Sequence, residues 1–209
     1  MQQLLLELAP PPPPTLENFS PGRNGAALKA LREALDDGER FVFLWGPGGS
    51  GKTHLLRAFS GAAAAAKREA AAVDDVARLG EAEQVALFDL CNRLRASKGA
   101  LAASGEGPPA QLPLRPDLRS RLASGIVLQL HPLSDADKAS ALAAHAARRG
   151  MALERELIAY LLSHFDRDMG TQIALLEALD RYSLQRKRPI TLPLLKDALR
   201  LVALPEAGR

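Results

Sequence analysis

The chain reads Gly46-Pro47-Gly48-Gly49-Ser50-Gly51-Lys52-Thr53 directly after the apolar run Phe41-Val42-Phe43-Leu44-Trp45. The first stretch matches G-x-x-x-x-G-K-[ST], a phosphate-binding loop between a strand and a helix. Glycines allow successive backbone N–H groups to converge on phosphates, and the dipole of the following helix adds to them. Lys52 is predicted to reach the β and γ phosphates, and the Thr53 hydroxyl to ligate Mg²⁺. The sequence therefore predicts binding of a nucleoside triphosphate or diphosphate.

Composition narrows the remaining classes of protein. The 209 residues are 47% hydrophobic and 24% charged, which is enough for one sizeable core and a smaller satellite domain. The net charge of +3 is spread along the chain, so it permits nucleic-acid contact without arguing for it. The single cysteine, Cys91, is predicted to be a buried thiol. No run reaches membrane-spanning length and Leu4-Leu5-Leu6 is too short for a signal peptide, so we expect a cytoplasmic protein without membrane contact.

Periodicity divides the chain into three parts. Residues 1–15 form a tail that ends in the spacer Pro10–Pro14, which must be extended. Residues 16–132 alternate helical and strand patterns, which predicts an α/β domain with a parallel sheet. Its predicted helices cover 26–35 and 81–97, and its predicted strands cover 41–45, 100–103 and 126–130. Residues 133–209 show helical patterns only, beginning with a capping box at Ser134 and Asp137.

Four further motifs resemble those of a known family. They are Asn18-Phe19-Ser20-Pro21-Gly22-Arg23-Asn24, Gly51-Lys52-Thr53-His54-Leu55-Leu56, Asp117-Leu118-Arg119-Ser120-Arg121-Leu122 and Arg188-Pro189-Ile190-Thr191. Over about residues 16–202 the chain resembles the DnaA family of AAA+ ATPases, and most closely its shorter Hda-type regulatory inactivators. We expect no helix-turn-helix domain after Val202, which favours the Hda type over a full initiator. The resemblance implies a three-layer AAA+ domain followed by an all-helical lid.

The tail also resembles a motif of the Hda type, the Q-L-x-L-x-L peptide that binds the sliding clamp of DNA polymerase III. Gln3 would offer a hydrogen-bonding amide, and Leu4, Leu6 and Leu8 would fill apolar pockets of the clamp. From the residues alone, a tail that packs on its own domain or stays disordered remains an alternative, because leucine-rich hexapeptides are common.

The run Ala70-Ala71-Ala72-Val73-Asp74-Asp75 is similar to the Walker B strand of the family. Asp74 would support Mg²⁺ through water, and Asp75 would orient or deprotonate the attacking water. Without the resemblance, two aspartates capping a helix remain an alternative. Asp74 lies only 21 positions after Thr53, where the family normally inserts a further strand and helix. Either the sheet lacks one strand or the sequence lacks a segment.

The resemblance assigns three more positions. Ser104, at the end of a predicted strand, falls on the polar sensor 1 residue, although a serine before a glycine-rich turn is also ordinary. Arg121 falls on the arginine finger that enters a neighbouring subunit's nucleotide site, with Arg119 as the fallback and a surface salt bridge as the alternative. Gly170 stands where a sensor 2 arginine is expected, so that contact is lost or passes to Arg167. Weak intrinsic turnover and a resting ADP-bound state would follow.

His54 adjoins the loop and is included with its nucleotide-binding residues, yet none of the four histidines has the spacing of metal ligands. The resemblance thus implies a protein that binds ADP or ATP with Mg²⁺, docks on the clamp and promotes hydrolysis of DnaA-bound ATP, preventing re-initiation. Indirect or weak DNA contact and self-association are left open. Two alternatives remain: an autonomous DnaA-like or helicase-loader ATPase acting on DNA, and a binding module that nucleotide merely stabilises.

Overall fold

The computed structural model describes residues 13–36, 40–165 and 169–202. It divides the described chain into two compact units, Pro13–Leu133 and the residues from Ser134 onward. The first unit contains every β-strand of the described residues, and the second is helical. Each unit has its own hydrophobic core.

The first unit is built around a parallel sheet of four strands in the order β2-β3-β1-β4. All four strands are formed by apolar runs, as expected for strands that are covered on both faces. The strands are β1 Phe41–Trp45, β2 Ala70–Val73, β3 Ala100–Gly105 and β4 Ile126–Gln129, and the helices are α1 Gly25–Leu35, α2 Lys52–Ala65, α3 Glu81–Ser97 and α4 Pro116–Ala123.

The helices cover the sheet from both sides and give three layers. On one face, α1 and α2 bury Leu31, Leu55 and Phe59 against alternate strand residues such as Leu44 and Ala102. On the other face, α3 and α4 pack Leu87, Cys91, Leu94, Leu118 and Leu122 against Phe43 and Leu101. The predicted three-layer α/β fold is confirmed, and Cys91 is fully buried as its helical spacing indicated.

The short spacing between Thr53 and Asp74 corresponds to a strand that is missing beside β2. Every residue between Thr53 and Asp74 is described, and these residues form only α2, a short connection and β2. The strand that the family normally inserts there is therefore absent, and β2 becomes an edge strand. All four of its residues are half-buried, whereas the six of β3 are buried. Losing a strand at an edge leaves the β3-β1-β4 core of the sheet intact.

The second unit contains four helices, α5 Asp135–Arg148, α6 Arg155–His164, α7 Met169–Arg186 and α8 Leu192–Val202. Ser134 forms the predicted capping box, because its hydroxyl accepts from the Asp137 N–H at 3.1 Å and its own N–H donates to the Asp137 carboxylate at 3.2 Å. Leu142, Leu157, Leu161 and Leu176 form the centre of its core, as helical spacing predicted. In the described part of the chain, no helix is both long and apolar enough to span a membrane.

Candidate functional site

The predicted phosphate loop connects β1 to α2, and close packing forces its shape. A Cβ on Gly46, where φ is +155°, would lie 2.3 Å from the carbonyl oxygen of Leu130, just after β4. The Leu130 N–H in turn donates to the Trp45 carbonyl at 2.6 Å. Gly51 adopts the left-handed conformation as the N-cap of α2. Glycine is therefore required at both ends of the loop by the fold itself.

The middle of the loop has room for a ligand. A Cβ on Gly48 or on Gly49 would meet no atom within 4 Å. The Ser50 hydroxyl is buried and has no hydrogen-bond partner among the described residues. The Lys52 ammonium donates to the carbonyls of Gly46 at 2.6 Å and Pro47 at 3.0 Å, so its charge lies over the loop. An open glycine turn with a cation folded over it fits a phosphate chain.

Asp74 is the centre of a hydrogen-bonded group at the carboxyl ends of β2 and β3. Because Val73 pairs with Ala103 in this parallel register, the residues that follow them, Asp74 and Ser104, lie side by side. The Thr53 hydroxyl donates to Asp74 Oδ2 at 2.5 Å, and the fully buried Ser104 hydroxyl donates to Asp74 Oδ1 at 2.5 Å. The Asp75 N–H completes the group by donating to the Ser104 oxygen at 3.0 Å. Residues from three separate segments of the chain thus meet beside the loop.

These contacts keep Asp74 ionised. Burial alone would raise its pKa, but hydrogen bonds from Ser104 and Thr53, the Asp75 backbone and the charge of Lys52 together lower it below the usual value. An ionised carboxylate beside a threonine hydroxyl is the oxygen donor set that Mg²⁺ uses with nucleotide phosphates. No cluster of three or more His, Cys, Asp or Glu side chains forms a metal site within the described ranges. Phosphate oxygens and water would have to complete the coordination.

Asp75 has a strained backbone and an ionic partner of its own. Its φ of +48° and ψ of +60° place it in the left-handed region, which costs energy for a residue other than glycine. The Nε atom of Arg78, in the following 3₁₀ turn Val76–Arg78, lies 2.6 Å from Asp75 Oδ2. The carboxylate that would act on water is therefore paired with a cation in this structure.

An open groove of about 350 Å³ runs along α2 and the edge strand β2 to this group. It is lined by Thr53, Leu56, Arg57, Ser60, Ala72 and Asp74. Thr53 and Asp74 therefore lie at an opening to solvent through which a cation and phosphates have access.

Arg121 lies near the amino ends of the strands, whereas the loop follows the carboxyl end of β1. It occupies the last turn of α4, and Gly125, which joins α4 to β4, lies against Phe41 at the start of β1. The loop instead follows the other end of β1, and a five-residue strand spans about 16 Å. The guanidinium of Arg121 lies over the ring of Phe88 on α3, 5.6 Å from its centroid. Arg121 is thus held on an outer face, away from the loop of its own chain.

Comparison with known proteins agrees with this architecture. Residues 135–199 match the family model described as the Hda lid domain. These residues therefore form an Hda-type lid domain. An uncharacterised protein of Haemophilus influenzae is 37% identical over 216 residues, covering 90% of this chain and 94% of that protein. The alignment is longer than this chain of 209 residues, so the H. influenzae protein has residues without a counterpart here.

Solved structures of DnaA share the fold of this chain. Domain III of the Thermotoga maritima replication initiation protein DnaA superposes with a TM-score of 0.69 at 20% identity, covering 96% of this chain and all of that domain. AMPPCP-bound DnaA from Aquifex aeolicus gives a TM-score of 0.66 at 23% identity, covering 84% of this chain and 70% of that one. The predicted AAA+ fold with a helical lid is confirmed.

Several predicted positions of the chain lie outside the described residues. These are the tail residues Gln3, Leu4, Leu6 and Leu8, and Arg167, the alternative to a sensor 2 arginine. Gly170 lies in the first turn of α7. His54 lies on α2, where its ring contacts the ring of Phe19 and its Nε2 lies 3.3 Å from the Thr15 carbonyl. That contact anchors the segment before α1.

Asn24 has a structural role that the sequence did not predict. Its buried side chain donates to the His131 carbonyl at 2.8 Å and accepts from the His131 N–H at 2.8 Å. These paired bonds fix the residues after β4 to the start of α1 across 107 positions of sequence. The sequence motif that contains Asn24 does not indicate this pairing, because an asparagine before a helix ordinarily indicates a cap.

Substitutions of two loop glycines can separate the role of the loop in stability from its role in nucleotide binding. We expect Gly46→Ala to lower the free energy of unfolding by about 3 kcal/mol, because its Cβ would overlap the Leu130 carbonyl oxygen. Gly48→Ala should leave stability within about 0.5 kcal/mol, since its Cβ meets open space, but should weaken nucleotide binding. Denaturant unfolding and nucleotide titration of both variants measure the two effects. Equal loss of stability in both would contradict this division of roles.

Proposed function

We propose that this chain is a regulatory AAA+ protein that docks on the DNA sliding clamp and promotes hydrolysis of ATP bound to DnaA. The outcome would be a DnaA that no longer re-initiates replication. The position of Arg121 is the observation that carries the proposal. A guanidinium near the amino ends of the strands cannot reach the nucleotide at the loop of its own chain, which follows the carboxyl end of β1. It can enter the nucleotide site of a neighbouring molecule instead.

The nucleotide of this chain would be ADP or ATP with Mg²⁺. The Gly46–Thr53 loop would hold the phosphates, with Lys52 supplying positive charge, and Thr53 and Asp74 would hold the metal ion. Bound Mg²⁺ would neutralise phosphate charge. We expect slow turnover by this site, because Asp75 is paired with Arg78 and the resemblance implies that Gly170 stands in place of a sensor 2 arginine. Such a site favours a long-lived bound nucleotide, with ADP as the expected resting state.

In the proposed reaction, Arg121 acts on DnaA rather than on its own nucleotide. Its planar cation would donate to the γ-phosphate oxygens of DnaA-bound ATP as charge builds on them during transfer to water. Stacking on Phe88 limits the conformations of the side chain before the two proteins meet. Docking of the tail on a clamp that encircles DNA would raise the local concentration of both proteins.

The test is a single-turnover measurement of ATP hydrolysis by ATP-loaded DnaA with DNA-loaded clamp. The intact chain should accelerate hydrolysis, and the double variant Leu4→Ala with Leu6→Ala should lose most of that acceleration at low protein concentration. Raising its concentration should restore the rate, because only docking is impaired. A tail variant as effective as the intact chain at every concentration would contradict the docking role.

The second candidate is an autonomous ATPase, which the assembled group of Thr53, Asp74 and Ser104 favours. Omitting DnaA from the same assay distinguishes it. Hydrolysis that equals the rate with DnaA, and that Asp75→Asn abolishes, would support the autonomous enzyme instead. If neither condition gives hydrolysis above background, a passive binding module becomes the better interpretation.

A further inference from the structure

We propose that Arg95 is a positioning residue that fixes the end of α4 and so aims Arg121. This inference rests on the proposed function, in which Arg121 is the group that acts on DnaA-bound ATP. Arg95 belongs to the last turn of α3, and Arg121 to the last turn of α4. No sequence motif links them, and they meet only because these two helices pack on the same face of the sheet.

The link runs through Ser124, the C-cap of α4. An Nη2 hydrogen of Arg95 is donated to the Ser124 hydroxyl oxygen, and that hydroxyl donates its own proton to the Arg121 carbonyl at 2.7 Å. The Arg121 carbonyl is one of the last in α4, where carbonyls lack the usual helical partner. It accepts from the Ser124 backbone N–H only at 3.4 Å, so the hydroxyl is its shorter hydrogen bond. A cation that acts through a hydroxyl therefore stabilises the negative end of α4 at the residue that carries the proposed finger.

Arg95 is itself held in place. Its guanidinium carbon lies 4.9 Å from the centroid of the Phe41 ring, and Phe41 is buried at the start of β1. Gly125 follows Ser124, and a Cβ there would lie 2.2 Å from the Phe41 carbonyl oxygen. Phe41 thus supports both Arg95 and the turn that ends α4. The sheet therefore gives the link a rigid base.

The two arginines make matching contacts along one face of α3. The ring of Phe88 lies under the Arg121 guanidinium. Phe88 precedes Arg95 by seven positions, or two helical turns. Burial raises the pKa of the Cys91 thiol, between them on this face, to about 11, while the charges of Arg121 and Arg95 oppose that rise. Both cations therefore lie near the same point of α3. The end of α4 is fixed to α3 at Phe88 and again at Arg95.

The test compares Arg95→Ala, Ser124→Ala, their double variant and Arg95→Lys in the DnaA-stimulated hydrolysis assay. Arg95→Ala and Ser124→Ala should each lower the maximal rate roughly tenfold, because misplacement of a catalytic group by a fraction of an ångström has effects of this size. The half-saturating concentration should stay unchanged. The double variant should match the single ones, since both break one link. Arg95→Lys should recover part of the rate, and Arg93→Ala, at an exposed arginine of α3, should have no effect.

A spectroscopic measurement keeps this inference separate from the proposed function. The Nε–H resonance of Arg121, assigned by its loss in Arg121→Lys, should be shifted by the Phe88 ring in the intact chain. It should move toward the value of a free arginine in Arg95→Ala and in Ser124→Ala. An unchanged resonance in both variants, or additive losses of rate in the double variant, would overturn the positioning role. If the intact chain fails to stimulate DnaA while the resonance still moves, the proposed function fails and the link stands.

Discussion

Arg121→Ala is expected to reduce the stimulated hydrolysis of DnaA-bound ATP by about three orders of magnitude. Arginines that enter a neighbouring nucleotide site typically contribute a factor of 10³ to 10⁵, which corresponds to about 4 kcal/mol or more of barrier lowering. The variant should keep its fold, because Arg121 is half-exposed and its main contact is the face of the Phe88 ring. It should also bind its own nucleotide normally, since the loop lies at the opposite end of the strands from Arg121. Single-turnover hydrolysis with DNA-loaded clamp measures the loss.

Two neighbouring arginines make this prediction specific. Arg119 lies two positions earlier on α4 and is also half-exposed, so Arg119→Ala tests the other arginine of the same motif. Arg93→Ala removes an exposed positive charge from α3 and controls for a general loss of charge. A tenfold or smaller effect of Arg121→Ala, together with a large effect of Arg119→Ala, would move the finger to Arg119. Equal small effects of all three would contradict a mechanism that acts in trans.

The sequence predicted those parts of the fold that local physics determines. The loop that follows an apolar run fixed β1 and α2, because a glycine turn of this kind needs a strand before it and a helix after it. Ser134 and Asp137 predicted the start of α5, since a capping box acts within four residues. Strand β2 was harder to predict, because Ala70, Ala71 and Ala72 have low strand propensity. Only the resemblance and the two aspartates that follow indicated a strand there.

Contacts between distant residues could not be predicted in the same way. The bonds from Asn24 to His131 and from Arg95 to Ser124 join positions 107 and 29 apart, and nothing in the local sequence specifies either partner. Thr53 was predicted from the loop motif, and Asp74 and Ser104 were assigned only by the resemblance. The three meet because strands β2 and β3 end on the same side of the sheet as the loop. That Asp75 takes a left-handed backbone and pairs with Arg78 was not expected. The functional roles of these residues remain predictions.

Lys52→Ala is expected to weaken binding of ADP and ATP by about a hundredfold. The Lys52 ammonium donates to two loop carbonyls, so a phosphate that enters the loop would receive a cation that is already in place. Losing a hydrogen-bonded charge costs about 1.5 to 3 kcal/mol, and 3 kcal/mol is slightly more than a hundredfold in affinity. Isothermal titration with each nucleotide, with and without Mg²⁺, measures the change. Lys29→Ala is the matched control, because Lys29 is exposed on α1 and pairs only weakly with Glu33 at 3.6 Å.

Measuring nucleotide affinity with and without Mg²⁺ separates the contribution of Lys52 in the loop from that of Thr53 and Asp74. In the intact chain, Mg²⁺ should strengthen binding of ATP, because Thr53 and the ionised Asp74 would hold the ion against the phosphates. Lys52→Ala should keep that gain, since Thr53 and Asp74 are unchanged, whereas Asp74→Asn should abolish it. Binding of ATP by Lys52→Ala with the affinity of the intact chain would show that the loop is only a structural turn. The nucleotide site would then have to lie elsewhere in the chain, and the slow-turnover interpretation would be withdrawn with it.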